Sequence, residues 1–146
     1  MKDIFNTKCE AIVNPVNIVG VMGAGFAAII KKKYPSVFDS YLNACKNKSL
    51  KIGTCLTVKT DNQYIINFPT KSHWKDPSRI EYIESGLEAL KRHIIHYNIS
   101  SIAIPALGSG LGGLNWLDVK NLINIKLKDL KLNNGNNVLI EIYDPL

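Results

Sequence analysis

The sequence predicts an α/β fold, a mostly parallel sheet with helices on both faces, and three observations carry that prediction. Strand-like and helical stretches alternate along the chain, as crossover connections in a parallel sheet require. After Ser101, the run Ile102-Ala103-Ile104 is wholly apolar, the pattern of a strand buried on both sides. Two glycine-rich segments each follow a strand and lead into a helix, the position at which open α/β sheets bind ligands.

Taken in order, Ala11-Ile12-Val13 is a short strand running into Asn14-Pro15-Val16-Asn17. From Gly25 to Lys33, small and apolar residues predict a helix. Its Lys31-Lys32-Lys33 end sets cations where the helix dipole favours them. Pro35 suits the first turn of a second helix, with Val37, Phe38, Tyr41 and Leu42 on one face. Two strand-like runs, 54–58 and 64–68, are joined by the turn-forming pair Asp61-Asn62. Asp76-Pro77 predicts a helix start, an N-cap followed by proline at the first helical position. Ile80, Ile83, Leu87, Leu90 and Ile94 then follow at helical spacing to about Tyr97. Asn115 caps a predicted helix carrying Leu117, Leu122, Ile123, Leu127 and Leu130; residues 133–136 form a turn and 138–142 a last strand. With 146 residues and no repeat, low-complexity tract or linker, residues 1–146 are expected to form one domain.

Composition narrows the function classes. At 46% hydrophobic and 21% charged residues the chain is an ordinary folded protein. No apolar run approaches the ~18 residues that span a bilayer, and Met1-Lys2-Asp3-Ile4-Phe5 passes straight into polar residues without a signal-peptide pattern. A cytoplasmic protein with no membrane partner is expected. The net charge of +6 comes almost wholly from lysine, Arg79 and Arg92 being the two arginines, in a chain also rich in Asn and Ile. The charge therefore permits a nucleic-acid partner but does not decide for one. Cys9, Cys45 and Cys55 lack metal-ligand spacing and read as reduced thiols packed as small hydrophobes, so no metal is expected.

The glycine-rich segments carry the chemistry. The first is 17–25, Asn17-Ile18-Val19-Gly20-Val21-Met22-Gly23-Ala24-Gly25; the second runs from Gly108 through Ser109, Gly110, Leu111 and Gly112 to Gly113. Glycine lets backbone N–H groups approach an anion closely, and the helix that follows adds a favourable dipole. One such loop is a weak signal, because a tight strand-to-helix turn needs the same glycines; two at equivalent strand ends suggest a clamp for a diphosphate. Neither ends in Gly-Lys-Ser/Thr, which excludes a Walker loop.

Four segments together, Asn14-Pro15-Val16-Asn17, residues 20–25, Asn67-Phe68-Pro69-Thr70-Lys71-Ser72-His73-Trp74 and residues 108–116, resemble a macrodomain. The similarity runs from about Asp3 to the C-terminus and is to the branch containing the terminal ADP-ribose glycohydrolase and the DarG antitoxin; residues 68–74 point to the DarG side. The resemblance implies a three-layer α/β/α fold with a mixed, mostly parallel sheet. Because the chain opens Met1-Lys2-Asp3, the N-terminal edge strand of macrodomains is expected to be missing or shortened, which weakens the assignment of Asp3.

By the resemblance, Asp3 and Ile4 hold the adenine of ADP-ribose and Asn17 the distal ribose. Val21, Met22 and Gly23 lie along the diphosphate from one side; Gly108, Ser109, Gly110, Leu111 and Gly112 cradle it from the other. Lys71 is the implied nucleophile toward the anomeric carbon, giving a covalent sugar intermediate. Its place at the end of an apolar strand, between Pro69 and His73-Trp74, suits a partly desolvated amine.

Gly112 stands where the terminal-glycohydrolase proteins carry a resolving acid, a gap shared with DarG-like sequences. His73 is a candidate general base, with a solvent-facing or structural role as the competing reading. Trp74, with Lys75 and Arg79, either stacks a base and meets phosphates or simply covers the end of the core.

The implied function is removal of ADP-ribose from thymidine in single-stranded DNA, with ADP-ribose as ligand and product rather than cofactor and a DarT-type toxin as counterpart. The alternatives are a non-catalytic ADP-ribose reader and a hydrolase of protein-linked ADP-ribose esters. DarG-type antitoxins usually carry a further C-terminal region, which is not found in a sequence ending at Leu146 after its last strand; either the sequence is a piece of a longer antitoxin or the protein works alone.

Overall fold

A computed structural model describes residues 3–145. Its elements run β1 (Ala11–Asn17), α1 (Gly25–Lys33), α2 (Pro35–Lys46), β2 (Leu56–Lys59), β3 (Tyr64–Lys71), α3 (Ile80–His96), β4 (Ser101–Ile104), α4 (Trp116–Leu127) and β5 (Leu139–Ile142). The five strands form one sheet in the order β2-β3-β1-β4-β5. β2 pairs antiparallel with β3, and every other pairing is parallel, so the sheet is mixed and mostly parallel as expected.

Side chains alternate across the sheet because strand residues point to opposite faces in turn. Ala11, Val13, Ile66, Phe68, Ile102 and Ile104 face α3 and α4, meeting Ile83, Leu87, Leu90, Val119 and Ile123 in the larger apolar cluster. Ile12, Ile65 and Ala103 face the other way, against Ile30 of α1 and Val37 of α2. Both faces are thus covered, and each fully buried Ile or Leu contributes roughly 1.5–3 kcal/mol of transfer free energy. Gly86 lies on α3 where a Cβ would overlap the Phe68 ring, so this glycine is what lets the helix settle onto β3.

The structure corrects several sequence boundaries, among them the end of α4, which stops at Leu127 short of Leu130, and the start of β5, at Leu139 rather than Val138. β1 and β3 continue through their prolines to Asn17 and Lys71 instead of stopping near Val13 and Phe68. Beyond Ile12, β1 pairs with β3 alone, so Pro15 withholds no donor that β4 would need. β2 begins at Leu56, because Thr54 closes a turn on Lys51 through its backbone N–H and its hydroxyl. α3 begins at Ile80, with Arg79 in extended conformation at its cap, rather than at Pro77. There the N–H of Ser78 donates to the Gly112 carbonyl at 3.0 Å, which draws 76–79 across to a neighbouring loop and postpones the helix.

Among the described residues no strand precedes β1; Ile4–Asn6 form a single 3₁₀ turn whose start is capped by the Asp3 carboxylate, which accepts from Phe5 N–H. No helix among them is long and apolar enough to cross a membrane. Burial raises the Cys9 and Cys45 thiols above their ordinary range and pushes Cys55 up to about 12, which keeps all three thiols protonated at neutral pH.

Candidate functional site

The carboxyl ends of β1 and β3 and the loop after β4 meet at one end of the sheet, and a cleft of about 590 Å³ opens there. That is the size of site that encloses a nucleotide-sized ligand. One wall is Asn17, Val21, Gly23, Ala24, Gly25 and Phe26; the opposite wall is Ala106, Gly108, Gly110, Leu111 and Gly112, with Thr70, Lys71 and Trp74 between them. The two glycine-rich loops therefore face each other across one cavity.

The first loop is shaped by a side chain. Asn17 is 8% exposed, and its amide nitrogen donates to the Val21 carbonyl at 2.8 Å. Its Oδ1 accepts from the N–H of Val19 at 3.1 Å, from the N–H of Val21 at 3.4 Å and from the Tyr41 hydroxyl at 2.7 Å. Tyr41 is fully buried, and desolvation holds its phenol above its ordinary range, so it stays a donor. α1 then starts at the cleft with no side chain capping it, which leaves its first N–H groups open toward the cavity.

The second loop is shaped by missing side chains. Gly108 holds φ +66°, and a Cβ at Gly112 would overlap both the Gly108 carbonyl and the Ser78 hydroxyl. Leu114 N–H closes the loop on the Gly108 carbonyl at 2.9 Å. Among the described residues the N–H groups of Gly110, Leu111 and Gly112 meet no acceptor, so they remain available to an anion. The Ser109 hydroxyl turns back to the Leu107 carbonyl at 3.1 Å.

Between the loops, β1 and β3 pair in register from Ala11 opposite Tyr64 to Val16 opposite Pro69, then slip by one residue so that Asn17 faces Lys71. Thr70 is the extra residue, and this bulge sets the lysine beside the asparagine at the head of the cleft. Lys71 is half-buried, and its Nζ donates to the Trp74 carbonyl at 3.4 Å. His73 Nδ1 accepts from the Lys75 N–H at 3.1 Å, and its ring lies 5.3 Å from that of Trp74.

Of the residues singled out from sequence, Asn17, Val21, Gly23, Lys71, Trp74, Gly108, Gly110, Leu111 and Gly112 line this one cleft. Asp3, Ile4, Met22, Ser109 and His73 are not in its lining. Met22 is 3% exposed and packs its side chain against Val16, Tyr41 and Leu50. Ile4 is buried with Ile12 and Ile30. Asp3 is exposed, and the Phe5 ring of its segment stacks at 4.8 Å on that of Phe26, which lines the cleft. Sequence reading missed Phe26, Thr70 and the Tyr41 hydroxyl. An aromatic directly after Gly25 was a usable signal for Phe26; the bulge that sets Thr70 in the cleft lining left no trace in the periodicity.

Against known proteins, the family model described as Macro domain matches residues 13–123. A DNA ADP-ribosyl glycohydrolase of Mycobacterium tuberculosis is 48% identical over 122 residues, 81% of this chain, and the chain spans 35% of that relative's length. The solved macrodomain of Mycobacterium tuberculosis DarG superposes with a TM-score of 0.94 at 42% identity, covering 100% of this chain and 95% of that one. Thermosipho africanus DarTG in complex with ADP-ribose gives 0.88 at 36% identity, covering 99% of this chain and 40% of that one.

Proposed function

This chain belongs to the macrodomain family, and from that premise we propose that it binds ADP-ribose in the cleft and removes it from modified nucleic acid, namely thymidine in single-stranded DNA. The observation that carries the reading is the juxtaposition of Lys71 with Asn17 at the head of a cleft walled by two glycine-rich loops, with open N–H groups at 110–112 and at the start of α1. The loops suit a diphosphate, the Phe26 side suits an adenine, and the far end suits a ribose whose anomeric carbon lies toward Lys71. The relatives named DNA ADP-ribosyl glycohydrolase support the choice of DNA over protein as carrier. Residues 1–146 act in this reading as one macrodomain, in the cytoplasm, with a DarT-type toxin as functional counterpart.

In the reaction, the Lys71 amine adds its lone pair to the anomeric carbon while the bond to the base breaks. The departing electron pair stays on the base, which takes up the proton that the lysine nitrogen sheds as it becomes a secondary amine; water later returns a proton to that nitrogen. Water then adds at the same carbon, releasing ADP-ribose and returning the amine. Asn17, fixed by four hydrogen bonds, positions the ribose; the loop N–H groups hold the diphosphate through both steps.

The test is release of ADP-ribose from an ADP-ribosylated single-stranded oligonucleotide. Lys71→Ala is expected to abolish release, a loss of more than about 10³-fold in kcat, while calorimetry still finds free ADP-ribose bound. Unchanged turnover by that variant removes Lys71 from the chemistry. Wild-type binding without any release makes the protein a reader, and faster release from a modified glutamate peptide makes the carrier a protein.

A further inference from the structure

Residues 72–79 join β3 to α3 without helix or strand, yet they are fastened at both ends. At one end Lys71 Nζ donates to the Trp74 carbonyl, and Asp76 N–H donates to the His73 carbonyl at 3.0 Å. At the other, buried Ser78 donates its N–H to the Gly112 carbonyl at 3.0 Å. A segment so anchored is organised before any ligand arrives. What it displays is unusual for a connecting loop: Trp74 is 50% exposed on the cleft wall, Lys75 Nζ lies 5.0 Å from its ring centroid, and Arg79 is exposed next to the Ser78 anchor.

A large aromatic left in water at the mouth of a site is informative where a lone exposed apolar residue elsewhere is not. Its flat face suits another ring, and the cations beside it suit anions. Within 71–79, Lys71, Lys75 and Arg79 stand against one carboxylate, Asp76. A ring joined to a phosphate is a nucleotide, and only an unpaired one offers its face, since duplex bases are already stacked on each other. An acidic peptide would engage the cations but leave the indole without a role.

We infer that residues 74–79 form a docking surface for the single strand that carries the modified base, with Trp74 stacking a neighbouring base and Lys75 and Arg79 meeting its phosphates. The inference rests on the nucleic-acid reading of the cleft and extends it from the modified nucleotide to the strand on either side. Because Ser78 ties this surface to Gly112, strand docking and the diphosphate loop are mechanically joined.

The experiment is anisotropy titration of the protein into a fluorescent, unmodified thymidine octamer across a salt series, with calorimetric titration of free ADP-ribose alongside. Lys75→Ala combined with Arg79→Ala is expected to weaken octamer binding about tenfold and to flatten the salt slope by about 0.7 for each phosphate no longer neutralised. Trp74→Ala weakens it by a similar factor, whereas Trp74→Phe, which keeps a ring, restores most of it. Unaltered affinity and salt slope in the double variant overturn the inference. So does a wild-type protein that binds ADP-ribose but not the octamer, or a modified acidic peptide that outcompetes the octamer. If the octamer results hold and ADP-ribose does not bind, the reading of the cleft falls and the docking surface stands.

Discussion

The two loops that face each other across the cleft reach similar shapes by opposite means. Residues 18–24 are organised around Asn17, a buried amide whose oxygen accepts from the loop, whose nitrogen donates one of its two hydrogens to it, and which Tyr41 supports from α2. Residues 108–113 are organised around the absence of side chains: backbone closes on backbone, and Ser78 fills the space that a substituent at Gly112 would need. The first design concentrates its sensitivity in one hydrogen-bonding residue. The second spreads it over steric room that no hydrogen bond can replace.

On that contrast, the largest effect comes from one methyl group. Gly112→Ala forces the Gly108 carbonyl and Ser78 apart and is expected to cost about 3 kcal/mol of stability. It also weakens ADP-ribose binding by more than about tenfold. Denaturant titration and calorimetry read the two losses, and a neutral outcome would mean that the second loop has slack the geometry denies.

Asn17→Ala comes next, at about 2 kcal/mol, because it takes their side-chain partner from the Val21 carbonyl and from the Val19 and Val21 N–H groups, while the Tyr41 hydroxyl keeps the backbone carbonyl of residue 17. Tyr41→Phe removes one donor while leaving Asn17 its bonds within the loop, so about 1 kcal/mol is expected. Both are read by the same denaturant titration. A larger loss from Tyr41→Phe than from Asn17→Ala would invert the hierarchy proposed for the first loop.

The smallest effect lies away from both loops and serves as their reference. His93 is held below its ordinary range, chiefly by burial and secondarily by the charges of His96 and Arg92, and its Nδ1 lies 2.8 Å from Thr57 Oγ1. Its folded form prefers the neutral ring, so its contribution is fully present above the unfolded value near 6.5 and fades as pH falls through the lower folded value. Melting temperature followed downward from pH 7 is expected to decline less steeply in His93→Gln than in the wild type. Equal slopes would remove His93 from the acid response.

How legible each region was follows from the kind of physics that builds it. The helices and the central strands announced themselves by apolar spacing, since Ile83, Leu87, Leu90 and Ile94 bury one face of α3, Ile80 at its start staying exposed, and the Ile102–Ile104 run buries both. Glycine-rich composition likewise marked both loops. What escaped were features decided by a distant partner. The start of α3 had a good local signal in Asp76-Pro77, overruled by the bond from Ser78 to Gly112, a loop more than thirty residues away. Met22 and Tyr41 looked like a loop residue and a core residue; the structure buries the first and gives the second a hydroxyl bonded to Asn17. No sequence window contains both partners of such a bond.

The slip between Val16 and Asn17 has a consequence for how this strand can change over time. With one unpartnered residue, Thr70, inserted before it, the neighbourhood of Lys71 is governed by parity, an odd or even count along β3. Replacing a side chain in 64–70 alters chemistry locally, whereas losing or gaining a single residue there would exchange the places of threonine and lysine relative to Asn17. The count of residues along β3, as much as their identity, therefore decides what stands opposite Asn17.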